Sequence, residues 1–309
     1  MKELTTSSSR RHFLAFGAVA AGVVGLGAVG LVELVDHGVL PGQSILNDLD
    51  GACTVDVPPA HYGPVGDQVE RTFFSRHRGR TVGYTLGLPA NFRVGDDIPL
   101  VVFLHGFGQN HRTGVGAAPT PAQAIALRVN GNALPPFALV TVDGGPHYWH
   151  VFGDDDPMAM ITDELIPRCQ ALGPGRSPGT IGVMGLSMGG YGAVLFAERR
   201  PDLFRATAAL SPAIWTDFAS SQGANEGAFV NAANFAAYDV VTHADALSHT
   251  PTFLASGFHD PFYPGAQALA ARLPGSTPKE VIFANGCHGG DFYNAHAPAA
   301  LAFLTNHLT

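Results

Sequence analysis

Ser187 lies in Gly185-Leu186-Ser187-Met188-Gly189-Gly190, with a short apolar, β-branched run over 180–184 before it and a helix-like stretch over 191–198 after it. A serine on a sharp strand-to-helix turn can serve as a nucleophile. Side chains at 185 and 189 would fill such a bend, hence the glycines. A hydroxyl alone is a weak nucleophile and needs a base that is itself oriented by a carboxylate. His288 is the candidate base. It sits in Asn285-Gly286-Cys287-His288-Gly289-Gly290, directly after the apolar run 280–284, with glycines that let the loop carry its imidazole over the serine. Asp260, in Gly257-Phe258-His259-Asp260-Pro261 after the run 252–255, is the candidate acid. The order serine, acid, histidine suits acyl transfer through a serine nucleophile. Asp291 and His296 are the nearest alternatives to Asp260 and His288.

That chemistry also needs two backbone N–H groups aimed at a developing oxyanion. Met188, the residue after the serine, supplies one. The other is expected from Leu104-His105-Gly106-Phe107-Gly108-Gln109, with Phe107 the donor and Gly108 the alternative. His105 reads as structural. Gly106, Gly108 and the chain's two tryptophans, Trp149 (beside Tyr148) and Trp215, are expected to contact substrate. Cys287 reads as structural because a better placed serine exists, and the pairing of Cys53, Cys169 and Cys287 stays open.

These residues need a scaffold that lines up several strand ends. The stretches 68–75 and 81–88 flank the charged turn 76–80 and read as an antiparallel hairpin. Strands then alternate with helices: strands at 99–104, 137–142, 180–184, 204–210, 252–255 and 280–284, and helices at 121–129, 158–172, 191–198, 265–273 and 298–307. This pattern implies an α/β domain with a mostly parallel central sheet, an antiparallel N-terminal hairpin and helices on both faces. Residues 211–251 break the alternation and read as a cap-like insertion that shapes the substrate pocket.

The N-terminal 1–32 carries Ser9-Arg10-Arg11-His12-Phe13-Leu14 followed by a weakly hydrophobic Gly/Ala/Val stretch, which resembles a twin-arginine signal. Residues 33–67 read as a linker that wraps onto the catalytic domain, 68–309. The expected location is therefore extracellular, periplasmic or associated with the cell envelope. The formal charge of −8 and only two lysines, Lys2 and Lys279, argue against a nucleic-acid partner.

From about Gln68 onward the chain resembles the putative-esterase group of α/β-hydrolases, which includes S-formylglutathione hydrolases, feruloyl esterases and mycobacterial mycolyltransferases. The resemblance rests on Asp163-Glu164-Leu165-Ile166-Pro167, the Gly185–Gly190 turn, Arg200-Pro201-Asp202-Leu203-Phe204, Leu210-Ser211-Pro212 and the Gly-Cys-His-Gly loop. It implies an α/β-hydrolase fold and carboxylic-ester hydrolysis or acyl transfer, with no metal or organic cofactor. It supports Ser187, His288 and the Met188 amide and favours Asp260. Mycolyltransferases carry Asp-Gly where this chain has His105-Gly106, and a glutamate as the acid, so the departures point to simple hydrolysis. The expected protein is an exported serine carboxylesterase that acts on a small-molecule or lipid ester through an acyl-enzyme. The alternatives are a cell-envelope acyltransferase of the mycolyl- or diacylglycerol type and a non-catalytic binding protein on a hydrolase scaffold.

Overall fold

In the computed structural model, which describes residues 51–308 apart from 226 and 276, eight strands form one sheet. They are Gln68–Ser75 (β1), Arg80–Gly87 (β2), Leu100–Leu104 (β3), Ala138–Val142 (β4), Ile181–Leu186 (β5), Ala206–Leu210 (β6), Thr252–Gly257 (β7) and Lys279–Ala284 (β8). The spatial order is β1-β2-β4-β3-β5-β6-β7-β8. β1 and β2 pair antiparallel, as do β2 and β4, and the remaining neighbours are parallel. β3, β4, β5 and β6 are buried along their whole length. Within β3, Leu100, Val102 and Leu104 enter one apolar cluster while Val101 and Phe103 enter the other. A strand covered on both faces must be apolar at both phases of its alternation.

The register aligns the carboxyl ends of the strands. Leu104 lies beside Gly185, Leu186 beside Leu210, and Gly257 beside Ala284. The loops after β3, β5, β7 and β8 therefore leave from one edge, where ligand sites of open α/β sheets collect.

Pro121–Ile125 (α1) and Gly290–Asn306 (α7) cover one face. The other is covered by the helical segment 157–172 (α2) and Met188–Arg199 (α3), with Tyr263–Arg272 (α6) beyond them. Within α2, Met160–Leu165 forms a π-helical turn. Its expected apolar side, Met160, Ile161, Leu165 and Cys169, is buried.

Two helices differ from expectation. α1 ends at Ile125 rather than near 129, because Arg128–Val129 and Asn132–Ala133 form a small hairpin. Its turn is Asn130-Gly131, both at positive φ, the pairing that primed turns demand. α7 begins at Gly290, not at Pro298, and carries that proline inside the helix.

Residues 1–32 of the expected signal and 33–50 of the expected linker lie outside the described residues. Further along, Tyr62 bridges to Leu127, and Arg128 N–H donates to His61 O at 2.8 Å. The insertion between β6 and β7 holds Phe218–Ala224 (α4), Ala232–Ala237 (α5) and a 3-10 turn, Ala244–His249. His150 fastens it to the domain. The ring stacks on Phe229 and Tyr238 at centroid distances of 5.1 and 4.4 Å, and Nε2 faces Ala228 O at 2.8 Å. Among the described residues no helix is long and apolar enough to cross a membrane.

Candidate active site

Ser187 stands at φ 56°, ψ −122°, a strained conformation for a residue with a side chain. The sheet holds it there: Ser187 N–H donates to Leu210 O at 2.9 Å, and Ser187 O accepts from Tyr191 and Ala213 amides at 3.0 Å each. A Cβ on Gly185 would sit 2.2 Å from Gly189 O, and one on Gly189 would sit 1.9 Å from Leu104 O. Both positions require glycine. Met188 then opens α3, so its amide is one of the first-turn donors that find no partner inside a helix.

The structure brings the three expected side chains together. His288 Nε2 lies 2.8 Å from Ser187 Oγ, and His288 Nδ1 lies 2.9 Å from Asp260 Oδ2. The Asp260 carboxylate is shut off from solvent, and its Oδ1 accepts the Phe262 amide at 2.8 Å. With Nδ1–H donating to the carboxylate, Nε2 is left to accept the serine proton. Asp291 is exposed at the start of α7, and His296 packs on Phe292 inside that helix, so neither alternative joins the set.

His105 organises the loop after β3. Its Nδ1–H donates to Gly106 O at 2.8 Å, and its Nε2 accepts the Gly144 amide at 3.0 Å, which fixes a neutral tautomer. Burial depresses its pKa, favouring the same neutral form. Gly106 N–H is taken by Gln109 Oε1 at 2.9 Å. Gly106 therefore shapes the loop instead of donating to a ligand, and a Cβ there would press on Leu186 Cδ1 at 3.0 Å. Phe107 N–H is the next amide along, and the Phe107 ring is 58% exposed. Gly108 takes φ +75° with open space around it.

The expectation for Trp149 does not hold. Its indole is fully buried, wedged where a Cβ on Gly144 or Gly192 would be, and its Nε1–H donates to His105 O at 3.2 Å. It supports the loop from below and cannot touch a ligand. Tyr148 is buried beside it, and both residues have positive φ. Trp215 lies nearer the chemistry: its ring meets Phe262 at 4.6 Å, and Phe262 meets His288 at 5.1 Å. Cys287 is disulfide-bonded, whereas Cys169 is free and buried, with its thiol pushed up to about 12 by burial. Sequence reasoning missed Phe262 and Tyr293, aromatic rings packed on His288. Their only signal was position, two residues after the acid and five after the histidine. Among the described residues no cluster of three or more His, Cys, Asp or Glu is placed to hold a metal ion.

The strand order, the strained serine turn and the loops at the sheet's carboxyl edge define an α/β-hydrolase fold. Solved structures share it. A ferulic acid esterase superposes with a TM-score of 0.67 at 17% identity over 80% of this chain and 100% of that one. An S-formylglutathione hydrolase from Agrobacterium tumefaciens gives 0.64 at 15% identity, over 82% and 100%. A fluorophosphonate-binding serine hydrolase from Staphylococcus aureus gives 0.62 at 17% identity, over 79% and 100%. No curated protein matches in sequence. The family model described as Putative esterase matches residues 75–291, and the chain belongs to that family of carboxylic ester hydrolases.

Proposed function

We propose that the protein is an exported serine carboxylesterase that works through an acyl-enzyme on Ser187. The carrying observation is the continuous relay from Ser187 Oγ through His288 to the buried Asp260 carboxylate, with separations of 2.8 and 2.9 Å. In the proposed reaction, Ser187 Oγ attacks the ester carbonyl carbon while its proton passes to His288 Nε2. Asp260 holds the imidazole in the receiving tautomer and stabilises its cationic form. The carbonyl π pair moves onto oxygen, to which the Met188 and Phe107 amides donate hydrogen bonds, each donor worth about 3–4 kcal/mol in comparable sites. His288 then returns the proton to the leaving alcohol. Water, deprotonated by the same histidine, releases the acid. The substrate is a small-molecule or lipid ester, for which the exposed Phe107 and the Trp215–Phe262 ring pair packed on His288 offer apolar surface.

Export is supported by the paired Arg10-Arg11 ahead of a Gly/Ala-rich stretch. The disulfide at Cys287 also suits an oxidising compartment.

The test is Ser187→Ala assayed with p-nitrophenyl esters. The reading expects turnover to fall by about 10⁴-fold or more with the circular-dichroism spectrum unchanged. Turnover near the wild-type rate would overturn it.

A further inference from the structure

Three of the four polar groups on the two peptide units that meet at Gly106 are held by neighbours. His105 O accepts the Trp149 indole N–H at 3.2 Å, and Gly106 N–H donates to Gln109 Oε1 at 2.9 Å. Gly106 O accepts from His105 Nδ1 at 2.8 Å and from the Gln109 amide at 3.2 Å. The fourth group is Phe107 N–H. Its peptide unit is planar and trans, so this N–H points opposite to Gly106 O. Gripping one end of the peptide therefore aims the other.

The Gln109 amide closes a four-residue turn over 106–109, with Gly108 at φ +75° in its third place, as a type II turn requires. Such a turn leaves the N–H of its second residue, Phe107, directed outward. The turn also sits against the nucleophile's own bend. A Cβ on Gly106 would lie 3.0 Å from Leu186 Cδ1, and one on Gly189 would lie 2.7 Å from His105 O. Gly106 has no side chain to restrict its rotation, so its hydrogen bonds must set the angle. Gln109 binds it on both sides, the carbonyl through its amide and the N–H through its side chain. Gln109 itself is exposed and fills no core.

We propose that Gln109 is a positioning residue for the reaction, its Oε1 fixing Gly106 so that Phe107 N–H meets the carbonyl oxygen of the ester as charge builds there. Gln109 acts through that peptide and not on the substrate. This inference rests on the esterase reading and on Phe107 N–H as an oxyanion donor.

The experiment compares the full-length wild type with Gln109→Met, His105→Phe and the double variant, by kcat and KM on p-nitrophenyl acetate and by thermal midpoint. Methionine keeps the length of the side chain and removes the acceptor. The proposal expects kcat of Gln109→Met to fall by about 10- to 100-fold, a part of the roughly 100- to 1,000-fold cost of losing an oxyanion donor outright. KM should stay within about twofold, because the interaction lost is made only in the transition state. Both side chains act on one peptide, so the double variant should fall little below the slower single variant. Wild-type kcat in Gln109→Met overturns the proposal. So does a raised KM with kcat unchanged, which would place Gln109 on the substrate, and so do losses that multiply in the double variant. Each of these leaves the esterase reading standing. A wild type with no turnover and no reaction with a fluorophosphonate takes down both. Should His105→Phe or the double variant fail to fold, the kcat and KM of Gln109→Met decide alone.

Discussion

Gly257, the last residue of β7, lies against Gly286 in the histidine loop, so close that a Cβ on Gly257 would sit 2.2 Å from Gly286 O. Phe258 and His259 amides continue the contact, donating to Ala284 O and Gly286 O at 2.8 and 3.0 Å. The loop bearing Asp260 and the loop bearing His288 are thus joined through backbone. Gly257→Ala should push them apart, and displacements near 1 Å at a catalytic group cost about 100-fold. The expected result is a kcat/KM about 100-fold below wild type in a protein that still unfolds cooperatively. An unchanged kcat/KM would show that the junction does not set the geometry.

Asp260→Asn keeps the shape of the acid but not its charge, and its amide can donate where the carboxylate accepted. His288 would then turn the wrong tautomer toward Ser187. By analogy with other serine–histidine–aspartate sites, kcat should fall by about 10⁴-fold. A loss under tenfold would mean that another carboxylate orients the histidine.

His105→Phe retains a buried ring but removes both hydrogen bonds, to Gly106 O and from the Gly144 amide. The loop that presents Phe107 N–H would lose its anchor. The expected outcome is a fall in kcat of about 10²-fold, the order seen on removing one oxyanion donor, with KM changing less. Steady-state kinetics on a p-nitrophenyl ester checks the split.

Stability should peak near pH 6.5. Glu198 in α3 has both carboxylate oxygens buried without partners, and burial pushes its pKa up to about 9 from 4.5. Between those values the folded protein holds a proton that the unfolded chain has released, so this group's contribution falls as pH rises. Burial works oppositely on His105, His150 and His296, whose pKa values are depressed from 6.5. Below that pH the unfolded chain takes up protons that the fold refuses, and stability falls as pH falls. Thermal midpoints at pH 5.5, 6.5 and 8.5 test the maximum. Glu198→Gln should flatten the alkaline side, by up to about 1.4 kcal/mol per pH unit. An unaltered slope in that variant would exclude Glu198 as its source.

The strands and the serine turn were legible because their signals are local. A buried parallel strand is a continuous apolar run, and Gly185 and Gly189 mark a bend that no other residue fits. Asp260 and His288 could be located by their places after β7 and β8, since topology fixes which loops meet. The Asn130-Gly131 turn was readable too, but the helix-like composition of 121–129 masked it. Trp149 was not readable as a wedge. Its burial depends on Gly144 and Gly192, which are distant in the chain and meet only in the fold. Arg78 was illegible for the same reason: it sits in a charged turn, yet its guanidinium is buried on Asp155, with Nε 2.6 Å from Oδ1. Tyr293 lacks any motif, and its packing on His288 follows from where α7 begins.

The central claim is that Ser187 is the nucleophile. The direct measurement is reaction with a fluorophosphonate followed by intact-mass and peptide mapping. The account predicts one phosphonyl group per chain, on the peptide containing Ser187, and none on Ser187→Ala. Labelling at another residue, or none on the folded wild-type protein, would contradict it.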